Sequence, residues 1–98
     1  MTKIYKKRHL STRNFKDPKY IFWRKCIYQR DGYKCVWPGC TCKSRLNAHH
    51  IRRWANYPTL RFDINNGITL CYRHHSLIKN NEDNYVLFFI DILRRKIK

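Results

Sequence analysis

The chain has 98 residues, enough for one folding unit. It carries 22 Lys+Arg against 6 Asp+Glu, a formal charge of +16, and its hydrophobic share of 43% is too high for a disordered basic tail. No apolar run approaches the roughly 18–20 residues that span a bilayer, and the basic N-terminus lacks the apolar block of a secretory signal, so a cytoplasmic protein is expected.

Half of the net charge falls in residues 1–25, which hold nine Lys/Arg and one Asp. Such a surface releases condensed counterions when it meets phosphates, so nucleic acid is the expected partner. A membrane is not, because the sequence contains no long basic amphipathic helix.

Residues 1–16 alternate basic and polar side chains with isolated apolar ones, the pattern of a basic arm. Asp17-Pro18 is a helix start, with Asp as cap and Pro in the first turn. Along KYIFWRKCIYQRD, Tyr20, Trp23 and Ile27, together with Phe22 and Cys26, recur at helical spacing, and Gly32 closes the helix. Arg24, Lys25 and Arg30 are expected on its outer face, and Cys26 as a packed small hydrophobe. Residues 34–43 are turn-rich and suit a metal knuckle.

Residues 46–51 alternate as a strand does. Residues 52–66 form a long connection in which Trp54 and Phe62 read as packing groups, and Asp63 as a cap or the partner of an arginine. Asn66-Gly67 signals a turn before a second strand at 68–70, and a short helix follows over about 72–79. Glu82, in the polar stretch NNEDN, could sit near the active site, and a solvated acid is the safer reading. From Tyr85 the apolar run suggests a strand-like start and then a helix. The fold class is α+β.

Five cysteines, at 26, 35, 40, 42 and 71, are an odd number for a disulfide framework and point to thiolate metal ligands. Cys35 and Cys40 form one short-spaced pair and Cys71 and His74 another, a set that zinc could draw into a tetrahedron. Cys42 is the alternative to Cys40. His49 and His50 are adjacent on a predicted strand, so their side chains face opposite sides of the sheet, which suggests a site at the strand's end or edge. His74 and His75 diverge by roughly 100° around a helix, so one can ligate the structural ion while the other points elsewhere.

The segment LNAHHIRRWANYPTLRFDINNGITLCYRHH resembles the HNH endonuclease family, especially small phage-type members with a zinc knuckle. The matching blocks are AHHI, NNGITLC and the His75 of CYRHH, with WRKCIYQRDGYKC upstream; they cover about residues 19–78. One departure is His74, where many members carry a cysteine.

The resemblance implies a ββα-metal (His-Me finger) fold with flanking helices, one nuclease domain over 17–98 and a motif core at 35–80. It implies His50 as general base, and His49 and His75 as holders of a catalytic divalent ion. Asn66 would tie down the loop that orients His50 or approach the metal itself. The implied reaction is metal-dependent hydrolysis of DNA phosphodiester bonds, leaving 5′-phosphate and 3′-hydroxyl ends. The substrate would be double-stranded DNA with little sequence preference, cut by a monomer or weak dimer, and relatives of the phage type often work beside packaging machinery.

The chemistry of the residues agrees: a neutral imidazole suits water activation near neutral pH, and a divalent cation can stabilise the leaving oxygen. That ion could be Mg2+, Mn2+, Ni2+ or Zn2+, with histidine ligation favouring the last three. Arg61, Arg52, Arg53, Arg24 and Lys25 are the expected DNA contacts, although Arg61 could equally be exposed or paired with a carboxylate. The alternative from another class is a non-catalytic, zinc-stabilised DNA-binding module.

Overall fold

Helix α1 spans Pro18–Arg30. Asp17 caps it, its carboxylate accepting from the Lys19 N–H at 2.9 Å, and Pro18 occupies the first turn, where an N–H would lack a helical partner. Tyr20, Trp23 and Ile27 make its buried stripe. Gly32, at φ +74°, supplies the left-handed turn beyond the helix end. The computed structural model describes residues 14–97, with side chains to residue 95, so most of the arm expected over 1–16 lies outside the described residues.

Two expectations for α1 are corrected. Phe22 does not join the buried stripe: it is 65% exposed, because the helix packs on a ribbon only two strands wide and one narrow face suffices. Arg30 does not line the outer face. Its guanidinium grips the Asp31 carboxylate through two 2.9 Å bonds and donates to the carbonyls of Ile64 at 2.9 Å and Gly67 at 2.7 Å. Asp31, 2% exposed, also accepts the Thr69 N–H at 2.9 Å. A carboxylate this enclosed needs such partners, and they fasten the end of α1 to the second strand.

Strands β1 (Leu46–His50) and β2 (Gly67–Cys71) pair antiparallel, with Leu46 opposite Cys71, His49 opposite Ile68 and His50 opposite Gly67. Period-2 alternation divides the ribbon into two faces. Ala48, His50 and Gly67 face α1, where Tyr20, Trp23, Ile27, Ala48 and Trp54 form one apolar cluster. Gly67 has no room for a side chain, since a Cβ there would lie 2.5 Å from the Trp23 ring and 2.6 Å from Ile27 Cδ1. On the other face Ile68 and Leu70 pack with Cys35, Ile78 and Phe89 in a second cluster.

Helix α2 (Tyr72–Ile78) follows β2 directly, and α3 (Val86–Ile97) closes the second face with Val86, Phe89 and Leu93. The strand-like start expected at Tyr85 is not found. Glu82–Tyr85 is a 3-10 turn that runs into α3. The continuous apolar run concealed a helical period: Phe89 is fully buried while Leu87 is 76% exposed. The result is an α+β arrangement with a helix on one face of a two-stranded ribbon and helices on the other. No helix among the described residues is long and apolar enough to cross a membrane.

Candidate functional site

Cys35, Cys40, Cys71 and His74 come together, with one ligand atom from each and all of these atoms within 4.8 Å of one another. Three local features produce this convergence. The Cys35 N–H donates to the Cys42 carbonyl at 2.9 Å, and the Cys40 N–H to the Trp37 carbonyl at 2.8 Å, folding the Trp37-Pro38-Gly39 segment into a turn. Cys71 ends β2 and precedes α2, which carries His74 one turn along, with Nδ1 3.4 Å from Cys71 Sγ and 3.5 Å from Cys35 Sγ. Trp37 stacks on the His74 ring at 4.5 Å and 8°, fixing its plane.

The alternative at Cys42 is settled by this geometry. Its thiol turns to Ser44, 3.6 Å from the carbonyl and 3.7 Å from the hydroxyl, and it contributes its backbone rather than its sulfur to the knuckle. The four residues lie close enough to hold a metal ion, and three sulfurs with one imidazole nitrogen are compatible with zinc. Burial pushes the Cys35 thiol up to about 12, with hydrogen bonds to the Trp37 and Cys71 backbone pulling the other way. A thiolate there needs a cation to offset its lost hydration. Burial, helped by Arg73, holds His74 below the usual histidine value, which favours the neutral imidazole that ligates metals. All five cysteines are free thiols.

His75 points away from that cluster, as the divergence around α2 requires. Its ring lies 5.7 Å from the His49 ring at 67°. His49, on the second face of β1, also packs edge-on against Phe89 at 5.4 Å. His50, on the first face, stacks on Trp23 at 4.0 Å and 11° and meets Trp54 edge-on at 5.3 Å. Although they leave the strand on opposite sides, His49 and His50 reach one cleft of about 330 Å³, because β1 ends at His50 and the cleft wraps round that end. Arg53, His75, Lys79 and Glu82 share its walls.

The His50 ring is held in a defined state. Its Nε2 lies 2.9 Å from the Arg61 carbonyl oxygen, which can only accept, so Nε2 carries the proton and Nδ1 is the basic nitrogen. That carbonyl is itself fixed through Asn66. The Asn66 amide accepts the Arg52 N–H at 2.8 Å and donates to the Arg52 and Leu60 carbonyls at 3.1 and 3.2 Å, pinning both ends of the loop beside Arg61. Asn66 is hydrogen-bonded within the loop and does not line the cleft. Trp23 adds a further tie, donating Nε1–H to the Asp63 carbonyl at 2.9 Å beneath the imidazole on which it stacks.

The arginines are more occupied than expected. Arg61 is neither exposed nor carboxylate-paired: Nε donates to the Trp54 carbonyl at 2.8 Å and the guanidinium lies 4.6 Å from the Trp54 ring. Arg53 holds the Asp83 carboxylate through bonds of 3.2 and 2.9 Å. The Arg52 guanidinium lies 5.6 Å from the Tyr57 ring. Arg24 and Lys25 are exposed on α1, with Arg24 5.8 Å from the Tyr20 ring, and neither lines the cleft. Asp63 is a cap, accepting the Asn65 N–H at 2.8 Å.

Of the two readings of Glu82, the structure favours the place near the histidines, since it lines the cleft; Lys79, which sequence reasoning missed, lines it too. The available signal was spacing: Lys79 follows His75 by four residues, one helical turn on the same face. Compared with known proteins, the chain matches no family model, no curated protein and no solved structure.

Proposed function

We propose that this protein is a metal-dependent DNA endonuclease or nickase with an HNH-like, ββα-metal site, and that the cysteine cluster holds a structural zinc. The observation that carries this reading is the cleft shared by His49, His50 and His75, in which His50 is locked as the Nε2–H tautomer by the Arg61 carbonyl. Support also comes from the charge of +16, which suits a duplex backbone bound with little sequence preference. Free thiols fit a reducing compartment, hence the cytoplasm.

In this mechanism His50 takes a proton from water at Nδ1, since Nε2 is committed to the loop, and water must be admitted to that buried nitrogen for the step to occur. The water oxygen bonds to phosphorus opposite the 3′-oxygen as the P–O3′ bond breaks, and the departing oxygen takes up a proton from solvent. His49 and His75, their rings 5.7 Å apart and both lining the cleft, are the residues that would hold a divalent cation. When bound, such a cation supplies Lewis-acid stabilisation to the phosphate and leaving oxygen; two imidazoles suit Mn2+, Ni2+ or Zn2+ better than Mg2+. Asn66 acts as a positioning residue, holding the loop that holds His50.

A second reading draws on the enclosure of His50, which is 3% exposed and packed against Trp23 and Trp54. A histidine so placed could serve packing alone, in a DNA-binding module without catalysis. Plasmid nicking by wild type and His50→Ala, with Mg2+, Mn2+, Ni2+ and Zn2+ in turn, separates the two. The nuclease reading expects the variant to lose cleavage by about 10²–10⁴-fold with DNA affinity and bound zinc retained. Supercoiled plasmid left intact by the wild type with every ion rules the enzyme out and leaves the binder.

A further inference from the structure

Hydrolysis of a phosphodiester needs a positive group against the non-bridging oxygens, and the sequence offers arginines for that task. The structure engages them with other groups. Arg61 is bonded to the Trp54 carbonyl and stacked on its ring, and Arg53, although it lines the histidine cleft, holds the Asp83 carboxylate through two bonds. Arg52 lies over Tyr57 and outside the cleft that holds the three histidines.

Lys79 is different. It lines the same cleft as His49, His50 and His75, its side chain is exposed, and it makes no ion pair among the described residues. Glu82 lines the cleft as well but forms no ion pair with it. Lys79 caps α2, its N–H donating to the Ser76 carbonyl at 3.3 Å, and so starts from a fixed backbone beside His75. The end of a helix is also where a cation is best tolerated before substrate arrives.

We infer that Lys79 holds the scissile DNA phosphate in the histidine cleft, a task the sequence points to the arginines to perform. The inference rests on the nuclease reading and adds a substrate contact to it. An ammonium on a flexible stem suits this position because it can follow the phosphate as its charge redistributes, whereas a guanidinium already bonded to the loop cannot. A second consequence is that one phosphate contact, and its share of the salt dependence of binding, belongs to this side chain.

The test uses the full chain loaded with zinc, and Lys79→Met and Lys79→Arg variants of it. Binding of a short duplex oligonucleotide is measured across a salt series without added divalent ion, and single-turnover cleavage with the ion that supports wild-type nicking. Lys79→Met is expected to reduce the slope of log K against log salt by about 0.9 and the cleavage rate on the order of 10²-fold. Lys79→Arg should keep the slope and recover part of the rate. A wild-type rate in Lys79→Met overturns the inference, whether the slope changes or not, because a contact away from the scissile phosphate would alter binding alone. Inert wild type is a separate failure: it removes the nuclease reading, and the scissile-phosphate role falls with it.

Discussion

The cysteine cluster and the histidine cleft sit on neighbouring parts of one helix, yet they are built differently. In the cluster, four side chains converge directly, their ligand atoms within 4.8 Å, and backbone turns do little more than bring them in. In the cleft the histidines arrive from opposite faces of a strand and from a helix, and the state of His50 is set by its neighbours: a carbonyl at 61, an indole at 23 and an amide at 66. The first arrangement suits an ion that holds the fold together. The second leaves an open cleft.

If the two regions are separable, variants should divide them. Cys35→Ser is expected to have the largest effect, taking bound zinc from about one ion per chain to near zero and abolishing cooperative thermal unfolding, as metal analysis and circular dichroism would show. Cys42→Ser should keep the zinc, because its sulfur faces Ser44. Loss of the ion in that variant would redraw the cluster.

Asn66→Ala strands the Arg52 N–H and two carbonyls in a largely buried loop, at a cost of about 1–3 kcal/mol in urea unfolding. Zinc content should not change, and on the nuclease reading proposed above cleavage should fall. Trp23→Phe retains a ring beneath His50 but loses the bond to the Asp63 carbonyl, at a cost of about 1–2 kcal/mol. On the same reading it should lower the cleavage rate more than DNA affinity; the opposite split would make Trp23 a packing residue only.

The smallest effect is expected at Asp83, whose carboxyl is held below its ordinary value by the hydrogen bonds of Arg53 and by its charge. A depressed carboxyl contributes stability above its unfolded pKa and loses it as pH falls through the folded one. The pair is exposed, so wild type and Asp83→Asn should melt almost together at neutral pH, and their difference should vanish in acid.

The same contrast explains how much was legible beforehand. The cysteine pairs, the cap at Asp17, both strands and the short helix carrying His74 and His75 follow from local spacing and could be read in order. Arg30 could not, because its partners lie at Ile64 and Gly67, more than thirty residues away. Neither could the place of Arg61, whose backbone oxygen rather than its charge meets His50. Tyr85 failed for another reason: in an unbroken apolar run both periods fit, and only the packing of Phe89 against the ribbon selects the helix. Lys79 was within reach of spacing alone, but its value depends on the arginines being tied down.

Because His49 and His50 are separated by a single step of the pleat, the surroundings of each depend on pairing phase. Sliding β1 by one position against β2 would present His50 to Phe89 and His49 to the indole platform. Gly67, which admits no side chain opposite His50, and the Arg30–Asp31 clasp on β2 therefore guard more than stability. They keep two chemically identical rings from exchanging identities.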